Sequence, residues 1–255
     1  VVLLLMAGTT LAQGMMDHVD LKAPRMSEAE LTRAEVEKLV RGATPERPVD
    51  LQNRSLNGLD LSGLDLRGAD LRWARLNRAK LTNARLDGAR LDLAFAIEAD
   101  LRNASLVGAS LFQAQLLRAV LDGADLSEAR VAASFESASL QGARLTRADG
   151  APDMRNQSMG LMRASFRSAR LQGADLTNAK LARADLEFAK LQDADLTGAD
   201  LTRAQLGGAD LTGAKLARTD VTGADLNAAV LRGAIGVDEI IGLEASVNLK
   251  RALRD

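Results

Sequence analysis

An all-β solenoid is the fold this sequence predicts, and two observations predict it. From Leu171 to Leu231 every fifth residue is Leu, with Val221 the one substitute, and the residue two places earlier is Ala, with Thr219 the one substitute. On a helix such a row drifts by roughly 140° per repeat, and on a strand an odd spacing alternates faces, so neither element buries it. Pentapeptides that each turn a corner do bury it: four of them close a square coil with Leu and Ala pointing inward. The second observation is composition. Aromatic residues are 2% of the 255, with no Tyr, so a core built on large rings is excluded and Leu and Ala must fill the interior.

The amino-terminal stretch, Val1 to Ala7, is apolar and leads into small residues at Thr10 and Ala12. It reads as a signal peptide over residues 1–12, cleaved after Ala12, although no basic residues precede it. That predicts a periplasmic or secreted protein; without a functional signal the protein is cytoplasmic. The run is too short to span a bilayer, so no transmembrane anchor is expected. Met15, Met16 and His18 form a meagre soft-metal set, best read as linker, so no metal or cofactor is predicted.

Residues 13–49 hold that linker and an amino-terminal capping helix over about 27–41. Ser27 and Glu30 are spaced as a capping box, Leu31, Ala34, Val36, Leu39 and Val40 supply the apolar side, and Gly42 with Pro45 and Pro48 stops the helix. Its predicted job is to cover the apolar end of the first coil.

The array occupies residues 50–235. Central residues run from Leu51 in steps of five through Leu91, pause at Ala96, and continue from Leu101 to Val131. Gly often stands two places after the central residue, which suits a turn position with positive φ. Asn83 and Asn103 fit there too, whereas Arg78, Glu98 and Arg118 predict a different turn. After Val131 the phase slips by one residue, to Phe135, Leu140 and Leu145. Residues 150–160 then break the pattern, and Leu161 and Phe166 restart it. The missing residue must bulge or pinch a corner, and the break must loop out. Ala96, between Leu76 and Leu116, underfills the lumen.

This pattern resembles the pentapeptide-repeat family, whose motif is A(D/N)LXX with a central Leu or Phe, and it looks like an exported bacterial member. The resemblance implies a right-handed quadrilateral parallel β-helix, here with short α-helical segments at both ends.

Residues twenty apart become vertical neighbours, so Asp60, Lys80 and Asp100 stack, as do Asp65 with Arg85, Asp70 with Arg90, Lys190 with Asp210, and Asp195 with Lys215. Residues 50–235 carry 24 basic and 23 acidic side chains, a self-complementary surface that makes nucleic acid an improbable partner. Some family members mimic DNA and bind type II topoisomerases; gyrase binding is the alternative function, but it needs an acidic excess absent here. Two partner surfaces are predicted. One is apolar: Trp73, Leu93, Phe95 and Phe112, which the amino-terminal helix would otherwise cover. The other is basic: Arg144, Arg147, Arg155, Arg163, Arg167 and Arg170 around the break.

Residues 236–255 predict a carboxyl-terminal capping helix, through which some relatives dimerise, so a homodimer is an expected partner state. Catalysis is not predicted. Cys is absent, the one His lies outside the array, and no phosphate loop or nucleophile elbow occurs. The expected role is a non-catalytic structural and protein-interaction scaffold.

Overall fold

Each pentapeptide forms one side of a square, and each corner is a turn. The computed structural model describes residues 23–152 and 162–254, and along them the chain winds as a quadrilateral parallel β-helix. The residue before each central Leu pairs with its counterpart in the next coil. On face 1, Asp50, Asp70, Arg90, Ser110, Arg130, Asp149, Lys180, Asp200, Asp220 and Ile241 pair in succession. Each step takes two bonds: Leu61 N–H donates to Lys80 O at 2.7 Å, and Lys80 N–H donates to Leu59 O at 2.8 Å. Three such ladders have ten rungs, and the fourth, which starts at Asp65, has nine. At about 4.8 Å per rung the rod is about 43 Å long.

The lumen is filled by the central side chains, with the Ala two places earlier buried where the faces meet. Burying each Leu contributes roughly 1.5–3 kcal/mol relative to leaving it in water. The corners share one turn. Ala74 N–H donates to Leu71 O at 3.0 Å around Trp73, whose φ is 61°, the left-handed third position of a type II turn. Arg78, Glu98 and Arg118 adopt it as well, at φ 57°, 59° and 56°, so the different turn expected there does not occur. The ladder imposes the geometry: Arg78 N–H must reach Ile97 O, at 2.9 Å. Meeting that demand outweighs a left-handed cost of about 1 kcal/mol per residue.

Both interruptions fall on the corner between faces 1 and 2. At the slip, Ala133 N–H donates to Val131 O at 2.7 Å, so a tighter turn replaces the usual one and the corner is pinched. One coil later the chain leaves after Gly150 and returns at Ala164, whose N–H donates to Gly150 O at 2.9 Å. The ladder carries on through Ser134 and Ser165. Leu161, where the sequence restarts its rhythm, lies outside the described residues. Gly150 holds the place of a central Leu: its N–H donates to Lys180 O at 2.8 Å. On the adjoining face 2, one coil apart, Phe135 and Phe166 stack inside the lumen with centroids 4.9 Å apart and planes 8° from parallel. These rings take up volume that Val131 and Gly150 leave.

The amino-terminal cap differs from one continuous helix. Helix α1 spans Pro24–Ser27 and α2 spans Arg33–Arg41, and the capping box belongs to Thr32 and Glu35 rather than Ser27 and Glu30. The residues between are taken by the first coil. Ala29 bridges Leu56 in antiparallel sense, and Glu30 N–H donates to Ser55 O at 2.9 Å. Two successive box motifs, at 27–30 and 32–35, compete in this stretch, and the edge of the sheet decides between them. Helix α2 lays the fully buried Val36 on the core, and Arg33 donates to Asp60 O and Ser62 O at 2.7 and 3.2 Å.

The expected carboxyl-terminal helix is replaced by 3-10 turns at Val237–Glu239, Leu243–Ala245 and Leu249–Arg251. The ladder itself continues, through Ile235, Ile241, Val247 and Leu253. These are six residues apart, so the last coil is a wider square. Gly236 and Gly242, with φ 74° and 71°, permit the extra residue. A Cβ on Gly236 would stand 2.9 Å from Ala217 Cα, and one on Gly242 would clash with Thr222 Oγ1. Ladder bonds such as Ile241 N–H to Thr219 O, 2.9 Å, are ones a helix would forfeit. No helix among the described residues is long and apolar enough to cross a membrane. The signal segment and the Met15, Met16 and His18 set lie outside the described residues.

Candidate interaction surfaces

Most of the outer surface is occupied with itself. The dominant device is local: an Asp before the central Leu accepts from the N–H of the residue after it, as Asp200 does from Thr202 at 2.9 Å and Asp220 from Thr222 at 2.9 Å. Where that residue is Arg, the carboxylate also receives the guanidinium, as in Asp70–Arg72 and Asp100–Arg102. The vertical pairs are the weaker half: Asp65–Arg85 and Asp70–Arg90 are both 3.7 Å apart, and Asp195–Lys215 is 3.0 Å. The DLR and DLT triplets in the sequence were the signal for this turn-locking role.

Corner side chains stack as well. Glu98 receives Arg78 Nε at 2.8 Å from one side and Arg118 Nη2 at 2.8 Å from the other. These bonds hold its carboxyl below the ordinary glutamate value of 4.5. The stabilisation is therefore present above that value and is lost as pH falls through the depressed folded-state value. A Glu98→Gln variant should show a lower melting temperature than the parent at neutral pH, with the gap closing on acidification below 4.5; a pH-independent gap would refute this.

The six arginines around the break do not form one patch. Arg144 and Arg147 belong to face 4 and its corner, paired with Asp125 at 3.6 Å and with Glu128. Arg163 and Arg167 belong to face 2: Arg163 donates to Gln205 at 2.8 Å, and Arg167 meets Asp185 at 3.5 Å and Glu187. Arg170 stands exposed on face 3, and Arg155 lies outside the described residues. A linear cluster wraps around a square coil, because fifteen residues pass three corners.

The apolar set does converge. Trp73 and Leu93 occupy successive rungs of the corner between faces 1 and 2, Phe95 opens face 2 at the rung of Leu93, and Phe112 lies on face 1 one rung further. Trp73 is 47% exposed and the other three are half-buried. The described amino-terminal residues, 23–49, do not cover them. It packs on the other side of face 2, where Met26 is buried and lies beside Asn77 and Ile97. Asn57 Nδ2 donates to Arg25 O and Glu28 O at 3.3 and 3.2 Å, and Asn77 Nδ2 donates to Met26 O at 3.2 Å. This stacked asparagine pair, unnoticed in the sequence, is what docks α1.

A further apolar surface lies at the carboxyl end. On the last coil, Ile235, Ile241, Val247 and Leu253 are 60%, 51%, 50% and 46% exposed. They hold ladder positions where the coil beneath has Lys215, Asp220, Asp225 and Val230. Inside this collar, Val237, Ile240, Leu243 and Leu249 pack on the core while remaining partly open. Among the described residues no group of three His, Cys, Asp or Glu side chains is placed to hold a metal ion.

A family model described as pentapeptide repeats matches in 8 copies, over residues 49–83, 79–116, 97–131, 161–198 and 194–233. Among solved structures the chain is similar to HetL, a pentapeptide repeat protein involved in heterocyst differentiation regulation in the cyanobacterium Nostoc sp. strain PCC 7120. That similarity is 30% identity over 88% of this chain and 94% of HetL, with a TM-score of 0.42. It is also similar to QnrB1, a plasmid-mediated fluoroquinolone resistance protein, at 18% identity over 81% of this chain and 91% of QnrB1, with a TM-score of 0.40. Rfr23 from the cyanobacterium Cyanothece 51142 aligns at 26% identity over 46% of this chain and 60% of its own, with a TM-score of 0.21. No curated protein matches.

Proposed function

The chain belongs to the pentapeptide-repeat family, right-handed quadrilateral β-helices, and from that premise we propose that it is a non-catalytic scaffold that works by protein–protein contact, first of all with a second copy of itself. The observation that carries this reading is the asymmetry of the two ends. At the amino end an antiparallel strap and α2 close the sheet edge and bury Val36. At the carboxyl end four apolar side chains form an exposed collar around a partly open plug. Contiguous apolar surface of this kind marks an interface. Because, among the described residues, only the carboxyl end carries it, two rods meet end to end about a two-fold axis, and a filament does not follow. Topoisomerase binding by DNA mimicry finds no support in a surface whose carboxylates are tied to arginines and threonines. Export remains part of the proposal, on the strength of residues 1–12 alone; cell fractionation with and without that segment tests it.

Light scattering of the full chain should give twice the chain mass. Ile241→Glu with Val247→Glu should weaken association about a hundredfold and leave melting near that of the parent, since both side chains are half exposed. A parent that stays monomeric at high concentration overturns the reading.

A further inference from the structure

The corner patch around Trp73 lies on the flank of the rod, far along the ladder from the collar, and the dimer does not account for it. We propose that this corner is a membrane-surface contact for anionic phospholipid.

Its shape argues first. Trp73 and Leu93 stand on successive rungs of one convex corner, with Phe95 and Phe112 half-buried on the two faces that meet there, and a convex edge suits a broad planar partner. Its residues argue next. Trp rings favour the boundary between headgroups and acyl chains, and Arg buries its stem while its head stays in the polar layer. Arg72, Arg75 and Arg90 flank the patch on its own rungs and Arg130 stands one rung beyond Phe112, against Asp70 and Asp92. Asp92 is engaged by Ser110 Oγ and by Phe112 N–H at 3.2 Å. Asp70 is shared between Arg72 and Arg90, and Glu30 between Arg54 and Arg75. The Arg130 guanidinium lies 4.0 Å from the centroid of the Phe112 ring, so cation and aromatic are presented together. From the rung of Phe112 to that of Ser134, the corner itself carries no acidic side chain: it reads Phe112, Gln113, Gln115, Ala132, Ala133 and Ser134.

Trp73 is the only Trp in the chain, so its emission reports on the patch directly. The full-length protein is mixed with vesicles of equal parts phosphatidylcholine and phosphatidylglycerol, and separately with phosphatidylcholine alone. The expected result is co-sedimentation with the anionic vesicles and a blue shift of Trp73 emission. Binding to the neutral vesicles should be about tenfold weaker or more. Leu93→Ser should reduce both signals, and Trp73→Ser with Leu93→Ser should abolish sedimentation while the protein still melts cooperatively. Absence of binding to anionic vesicles overturns the proposal, as does binding without a shift in Trp73 emission, equal binding to both vesicle types, or undiminished binding by the double variant. Failure here with an intact dimer removes this contact and leaves the scaffold reading standing.

Discussion

Gly150→Leu, which restores the residue that the repeat rhythm demands, is expected to destabilise the rod by about 3 kcal/mol or more. A Cβ at Gly150 would stand 2.7 Å from Ala164 Cβ, 3.0 Å from Leu181 Cδ2 and 3.3 Å from Val131 Cγ2. The first of these is below any tolerable contact before the rest of the leucine is added. Ala164 cannot withdraw easily, because its N–H is bonded to Gly150 O and Ser165 beside it bridges Ser134. Urea denaturation of the full chain measures the effect as a lower midpoint. A variant as stable as the parent would mean that the lumen has room at this level, contrary to the contacts above.

The second large effect concerns the rings that face this glycine's level. Phe166→Ala should cost about 3–5 kcal/mol, the range for truncating a fully buried aromatic. Phe135→Ala should cost a similar amount, and the double variant less than the sum, because the two rings are stacked and share contacts. Phe166→Leu should cost about 1–2 kcal/mol, since the stacking is lost while much of the volume is kept. Additive losses in the cycle would show that the rings act independently.

These two sites mark the limit of what the sequence makes legible. Periodicity locates each buried Leu and Ala, because a strict five-residue rhythm has one geometric solution, and the stacking of residues twenty apart follows from it. At Gly150 the rhythm stops being a guide. Which residue closes the ladder around an insertion depends on contacts between Val131, Ala164 and Leu181, which are remote in the chain. The amino-terminal helix starts one box motif later than its first cap predicts for a similar reason: Ser27 and Thr32 offer equivalent caps, and only the pairing of Ala29 with Leu56 separates them. At the carboxyl end the sequence carries a period of its own. Ile235, Ile241, Val247 and Leu253 recur every six residues, a period no α-helix shares, and Gly236, Gly242 and Asn248 follow them at the same period. As for the surfaces, the apolar corner is legible because Trp73 and Leu93 each sit two places after a central residue and are twenty apart. The arginine group was not, because nearness in sequence does not survive three right-angle turns.

The bond between Ala164 N–H and Gly150 O, at 2.9 Å, closes the ladder across the thirteen residues between them, so the rod is continuous whatever those residues do. Closing a longer excursion costs only about 0.6 kcal/mol for each doubling of its length. This corner is therefore a splice point. A foreign peptide, or a small domain whose ends lie close together, can be carried there as cargo beside a rigid spacer of known pitch, with neither the coil above nor the coil below having to change.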